Sequence, residues 1–338
     1  MAGQENTRAE TTFSCDGTVV RLDRGFPLVR CGDGKLVRCE HATALAKNEH
    51  VRAVVGDVVK VSLPEGHDKG VITAIVDRRT KFVRRDPAEK TAHQVLAANF
   101  DLVIIAEPIV GLNRNRLERE LVLAHQTGAD VAVVLTKADL AQNAQEAQAV
   151  CNQVQGLAGK DVVVRAMSLE DEESIQAVRD LIGPDRIAVL IGKSGVGKSS
   201  LVNVLAGSEV QDVGDVRDFD GKGRHTTVDR VMVELPEGGS VVDMPGIRGL
   251  GMWDADEGLG VAFSDVDELA RSCRFRDCKH VDEPGCAVRQ AVEEGELAQA
   301  RLDSYRSLAA EIESVRVRRE EARQMRGEKA SDRRKRRR

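Results

Sequence analysis

The sequence predicts a multidomain chain with an N-terminal β-barrel over residues 1–80, a central α/β domain over 81–260 and a metal-bearing helical domain over 261–338. Three observations predict it. Short β-branched runs fill the first eighty residues with no helical period between them. From Asp101 onward, apolar strands alternate with helical stretches. After Gly251 the strand pattern stops, and a Cys/His cluster precedes a long charged run. At 338 residues and 41% hydrophobic content, the chain holds enough apolar surface for two or three cores, since single domains usually take roughly 100 to 200 residues.

In the first unit the strands are expected at Gly17–Leu22, Leu28–Cys31, Leu36–Glu40, Val54–Leu63 and Val71–Val76, with Gly32-Asp33-Gly34 as a hairpin signal. Five short strands at this spacing suggest a small barrel of the OB type, a common platform for single-stranded or folded RNA. Aromatic residues make up only 3% of the chain, so backbone and charge contacts have to outweigh base stacking.

The second unit reads as strands Leu102–Ala106, Val131–Leu135, Val162–Ala166, Ile187–Ile191, Val231–Leu235 and Val241–Val242 in a mostly parallel sheet. Strand Ile187–Ile191 runs into Gly192-Lys193-Ser194-Gly195-Val196-Gly197-Lys198-Ser199 and then an apolar helix opening at Ser200. This is the glycine-rich phosphate loop in its required context. The glycines let backbone N–H groups curl around phosphates, and the helix N-terminus adds partial positive charge. Lys198 reaches the β and γ oxygens, and Ser199 ligates Mg2+.

A phosphate loop specifies a triphosphate but not its base. Thr136-Lys137-Ala138-Asp139 follows strand Val131–Leu135 directly. An aspartate there accepts hydrogen bonds from guanine N1 and N2, which adenine does not offer, and the lysine stem covers the base plane. Ala166-Met167-Ser168, after the next strand, is placed to close over guanine O6 with a backbone N–H. Beyond the phosphate loop, Gly223-Arg224-His225-Thr226-Thr227 supplies Thr227 for Mg2+ and the γ-phosphate. Asp243-Met244-Pro245-Gly246 supplies a carboxylate near the metal and the Gly246 N–H for the γ-phosphate. Ile247 follows Gly246, so no glutamine there orients water, and His225 is the candidate for that task.

The order is unusual: base recognition at 136–139 and 166–168 precedes the phosphate loop at 192–199. The motifs are therefore circularly permuted, and the chain leaving Gly246 runs straight into the C-terminal unit.

That unit is expected to carry a helix at Val261–Arg271, a long charged helix from Ala287 to Arg326 and an unstructured basic end, Arg333–Arg338. Cys273-x4-Cys278-x-His280-x5-Cys286 offers three thiolates and an imidazole within 14 residues, a donor set for one structural tetrahedral Zn2+. The other cysteines, Cys15, Cys31, Cys39 and Cys151, read as isolated reduced thiols. Net charge is −5, yet Glu311–Arg338 holds 12 Lys and Arg against 6 Asp and Glu, which marks the C-terminus as the polyanion-binding end. No apolar run approaches the ~18 residues a membrane span needs, and MAGQENTRAE is polar, so a cytoplasmic protein is expected.

With these residues assembled, the chain resembles the circularly permuted, small-ribosomal-subunit-dependent GTPases of bacteria, the ribosome biogenesis GTPase A family. The resemblance rests on the ordered set from the barrel through Thr136–Asp139, Gly192–Ser199, Gly223–Thr227 and Asp243–Gly246 to Cys273, Cys278, His280 and Cys286. It implies hydrolysis of GTP to GDP stimulated by the small ribosomal subunit, contact with its rRNA, a role in late subunit maturation with release of assembly factors, and action as a monomer. Thr136, where asparagine is commonest, the arginine-rich C-terminal extension and the short aromatic inventory depart from the family pattern.

Overall fold

The computed structural model describes residues 12–23, 26–46, 52–64, 67–85, 93–210, 230–244, 252 and 255–335. Five strands close the N-terminal barrel: β1 (Thr12–Asp23), β2 (Phe26–Cys31), β3 (Leu36–His41), β4 (Val58–Pro64) and β5 (Gly70–Ile75), in the order β1-β2-β3-β5-β4. All ladders are antiparallel except β3 with β5, where a crossover containing the short helix α1 (Thr43–Ala46) returns the chain in parallel. This is the expected OB-type barrel. Its core is aliphatic, with Val19, Val29, Val37, Val59, Val61 and Ile72 inside. Fully buried Asp57 accepts from Val54 N at 2.8 Å and from both Arg78 Nε and Nη2, so its charge is compensated where the barrel ends.

Two departures concern the barrel. Cys15 and Cys31 form a disulfide and are not isolated thiols. In the β1–β2 ladder Gly17 faces Cys31, so Cys15, two residues along the same face, meets Cys31 diagonally over the glycine. Residues 54–57 form a tight turn before β4 instead of joining it. Gly56 takes φ +90°, and a side chain there would strike the Ala98 carbonyl.

A hairpin, β6 (Lys81–Arg85) with β7 (His93–Ala98), leads into a six-stranded sheet. Its strands are β8 (Leu102–Pro108), β9 (Asp130–Thr136), β10 (Val163–Ala166), β11 (Ile187–Ile191), β12 (Met232–Glu234) and β13 (Ser240–Asp243). Their spatial order is β10-β9-β8-β11-β13-β12, parallel throughout except for β12. Helices α2 (Arg114–His125) and α3 (Ala144–Ala158) cover one face, and α4 (Glu172–Ile182) and α5 (Lys198–Ala206) the other. Burial on both faces explains the unbroken apolar run LVIIA of β8.

The C-terminal unit contains α6 (Asp256–Ala262), α7 (Ser264–Ala270), α8 (Ala287–Glu293) and α9 (Gln299–Lys335). The single helix expected from Ala287 to Arg326 is two helices. Gly295, at φ +79°, ends the first, and Ala291 O takes the N–H groups of Glu296 and Leu297. At the other end α9 runs through Arg333–Lys335, so this part of the basic end is helical and not unstructured as expected; 336–338 lie outside the described residues. No described helix is long and apolar enough to cross a membrane.

Beside the barrel's own core, one buried cluster runs from Val20 and Val55 through the sheet to Leu302 and Ile312, and polar contacts join the units directly. Arg21 bridges to Val231, and Arg30 pairs with Glu234, fixing the barrel to β12. On the opposite side, Arg301 of α9 lies 3.9 Å over the Phe263 ring and donates to Glu118 of α2 and to Asp265 of α7.

Candidate nucleotide site and metal cluster

The motif loops leave the C-terminal ends of the parallel strands β9, β10, β11 and β13, the edge where open α/β sheets bind ligands. The phosphate loop springs from β11 near the sheet centre. Gly192, at φ +141°, passes so close to β8 that a Cβ would lie 2.3 Å from Ala106 O. Gly197 precedes α5 without any capping side chain, which leaves the first N–H groups of that helix facing the loop. Lys198 is buried, its Nζ donating to Gly192 O at 2.9 Å and Lys193 O at 3.1 Å, so the ammonium spans the mouth of its own loop. Ser199 and Ser200 follow in the first turn of α5, half-buried.

The base loop is joined to the phosphate loop by two bonds. Thr136 Oγ1 donates to Val196 O at 2.7 Å, and Lys137 Nζ donates to Gly195 O at 3.2 Å. Lys137 reaches this position through a left-handed backbone, φ +58°. Threonine at 136 therefore keeps a hydroxyl link between the two loops. Asp139 stands exposed beyond them, and Ser168 Oγ donates to its Oδ1 at 3.1 Å. The run Ala166–Ser168 differs from expectation in detail. The Met167 N–H is taken by Leu135 O and its carbonyl by Ala138 N, so Met167 braces the base loop from inside and Ser168 orients the aspartate.

Across β11 from the base loop, Asp243 ends β13. Its Oδ1 is buried with no hydrogen-bond partner, and burial raises its pKa against the opposing pull of Lys198. An orphaned buried carboxylate oxygen within electrostatic reach of Lys198, the first residue of α5, is a donor that suits Mg2+. His225, Thr227, Gly246 and Ile247 lie outside the described residues.

The structure adds a polar cluster under the loop that the motifs did not reveal. Buried Glu107, at the end of β8, is gripped through both carboxylate oxygens by Arg116 of α2. Glu120, one turn on, is buried with Oε2 unpartnered. Burial first, then the Glu107 charge, push its pKa up to about 8, against Arg116 and Lys198. Burial lowers the Lys198 pKa, while Asp243 and Glu120 oppose that shift. Sequence spacing gave no sign of this cluster, because charged residues on a helix ordinarily face water. Arg116 also lines an open cleft of about 310 Å³ with Lys137, Lys193 and Ser194.

In the C-terminal unit the ligand atoms of Cys273, Cys278, His280 and Cys286 all lie within 4.8 Å of one another. Cys273 Sγ to Cys286 Sγ is 3.9 Å, and His280 Nδ1 lies 3.4 Å from Cys286 Sγ and 3.6 Å from Cys273 Sγ. Ligands held about 2.3 Å from a tetrahedral ion sit at such separations. Burial holds the His280 pKa down, keeping the imidazole neutral as a ligand must be, and His280 adopts φ +59° to present Nδ1.

A phosphate loop on the central strand, sutured to a base loop that precedes it in the chain, defines a P-loop GTPase of permuted order. The RsgA GTPase family model matches residues 75–253. Relatives agree with it. "Small ribosomal subunit biogenesis GTPase RsgA" of Streptomyces avermitilis is 40% identical over 303 residues, covering 88% of this chain and 80% of its own length. The Streptomyces coelicolor protein of the same name is 42% identical over 301 residues, covering 88% and 81%. Among solved structures, YjeQ from Thermotoga maritima superposes with a TM-score of 0.67 at 25% identity, over 89% of this chain and 99% of its own. YloQ, described as a circularly permuted GTPase, gives 0.64 at 25% identity, over 93% and 98%. The chain belongs to the RsgA GTPase family and is a GTP-hydrolysing enzyme.

Proposed function

We propose that this GTPase acts on the small ribosomal subunit, as the names of its relatives state for them, and couples hydrolysis of GTP to late maturation of the subunit and release of assembly factors. The observation that carries the guanine-nucleotide part is the pair of bonds from Thr136 and Lys137 to Val196 and Gly195, which support one ligand spanning both loops.

In this reading Asp139, oriented by Ser168, accepts from guanine N1 and N2, and the Lys137 stem covers the base. Ala166 and Met167 brace that loop. The N–H groups of Gly192–Ser200 receive the α- and β-phosphates, and Lys198 turns from its two carbonyls to the β–γ bridge. Ser199, Thr227 and Asp243 would hold Mg2+, which would supply charge neutralisation at the γ-phosphate. His225 orients the attacking water, and the Gly246 N–H holds the γ-phosphate, whose bond to the β-phosphate breaks as water's oxygen adds. Cys273, Cys278, His280 and Cys286 hold one structural Zn2+. The barrel, near 1–80, and the zinc-bearing unit, 261–338, flank the GTPase unit, 81–260, and contact rRNA together with the basic end of α9. The protein works as a cytoplasmic monomer.

The test is GTP turnover alone and with purified small subunits, large subunits and whole ribosomes. Small subunits are expected to stimulate turnover, and stimulation by large subunits alone overturns the partner assignment. ATP competing equally with GTP overturns the base assignment, and His225→Ala with undiminished stimulated turnover overturns the role of that histidine.

A further inference from the structure

The Cys15–Cys31 pair is the feature that the GTPase reading does not use. The β1–β2 ladder ends at Gly17 opposite Cys31, while β1 continues alone against β4, with Cys15 facing Val61. The disulfide therefore closes the fork where β1 leaves β2. Gly17 lets β1 lie close against β2 at this fork, since a Cβ there would lie 2.6 Å from both Arg30 O and Val29 Cγ1. Cys31 is buried at 3% exposure and Cys15 is half-buried, so a reagent in solution meets Cys15 first. The nearby Cys39 does not compete, since it is fully buried and its thiol is pushed up to about 11.

The fork borders the seam between barrel and GTPase unit. Cys31, Arg30 and Thr18 line a cleft of about 500 Å³ closed on its far side by Ile187, Met232 and Ser240. Arg30, adjacent to Cys31, carries the ion pair to Glu234 of β12. The same chain holds a Cys3His cluster whose thiolates bind metal only when reduced. Disulfides in compartments that keep such clusters intact are usually transient.

We propose that Cys15 and Cys31 are a reversible thiol–disulfide site, oxidised by low-molecular-weight disulfides, that fastens the barrel hairpin at its seam with β12. The Cys15 thiolate attacks the reagent's S–S bond, forming a mixed disulfide and releasing one thiolate. The Cys31 sulfur, losing its proton, then attacks Cys15 Sγ and expels the second. Two electrons pass from the pair to the reagent, whose two released thiolates take up the protons.

The test uses the full-length zinc-loaded protein, equilibrated in buffers from reduced to oxidised glutathione, quenched by alkylation and mapped by mass. Cys15 and Cys31 are expected to escape alkylation first, with a loss of about 2 Da and zinc retained. In Cys31→Ser, Cys15 should hold glutathione as a lasting mixed disulfide. Alkylation of both residues in fully oxidised glutathione, or loss of zinc before the pair closes, overturns the site. Hydrogen exchange reads the seam. Amides of 26–31 and 232–234 should exchange about fivefold or more faster in the reduced protein than in the oxidised one. The Cys15→Ser/Cys31→Ser protein should be insensitive to glutathione. Equal exchange in the two redox states overturns the fastening role. Zinc content and GTP binding are measured on the same samples, so failure of this site is distinguishable from failure of the zinc or nucleotide reading.

Discussion

The nucleotide face and the metal cluster both gather ligand-binding groups, but they are held by opposite means. The motif loops at 136–139, 166–168 and 192–199 hang from strands whose apolar residues are mostly buried, and they are stitched by Thr136, Lys137 and Met167. The cluster at 273–286 sits in turns between α7 and α8 with few buried side chains of its own beyond Cys286 and His280. Sheet packing organises the first before any ligand arrives; the second needs its ion to have a fixed shape. Helix α2 touches both worlds, with Arg116 on Glu107 beneath the phosphate loop and Glu118 on Arg301 of α9.

Removing the metal should separate the two regions most sharply. Structural zinc supplies on the order of 10 kcal/mol to such small sites. Chelation, or Cys286→Ser, should therefore abolish amide protection across 273–286 while leaving the central sheet protected, as hydrogen exchange would read. Simultaneous loss of both would show that the sheet borrows its order from the cluster.

Arg301→Ala strikes the joint between the regions. It leaves Glu118 buried without its guanidinium, a loss of about 3–5 kcal/mol, visible as a lower midpoint in urea. A midpoint within error of the parent would mean that α2 and α9 are coupled by packing alone.

A pH series tests the floor of the nucleotide face. The Glu120 pKa is raised from 4.5 to about 8 in the folded chain. A raised carboxyl favours the folded state fully below about 4.5, and that contribution is lost as pH climbs to 8. Glu120→Gln should thus stabilise the protein by roughly 2–4 kcal/mol at pH 8 and change little near pH 4. A pH-independent difference would assign the effect to packing instead of the proton.

The smallest effect is expected at the suture itself. Thr136→Val deletes the bond to Val196 O and should weaken GTP binding by about 1 kcal/mol, several-fold in Kd by calorimetry. A change in affinity for ATP relative to GTP would move Thr136 from bracing to base selection.

How much was legible in the sequence follows the same division. The parallel strands announced themselves as apolar runs, and the phosphate loop, Asp139, Asp243 and the four metal donors carry their chemistry in contiguous spacing. The barrel closed as five short strands foretold, although the turn at 54–57 depended on Gly56 meeting Ala98, a contact 42 residues apart. The break at Gly295 was written locally and overrun by the charged helical pattern on both sides. Glu107, Glu120 and Glu118 were not legible. A carboxylate on a helix looks solvated until the fold brings Arg301, 183 residues distant, over it. Cys15 and Cys31 likewise look unrelated until the β1–β2 register is known.

The strand order has a consequence for synthesis on the ribosome. Strand β8 lies between β9 and β11, yet β11 follows β8 by some eighty residues, after β9 and β10. While the nascent chain emerges, LVIIA in β8 can pair on one flank only, and its other flank is a bare hydrogen-bonding edge of high β propensity. Translation pausing between residues 166 and 187 would prolong that vulnerable half-sheet, making this interval the stretch where a chaperone has most to shield.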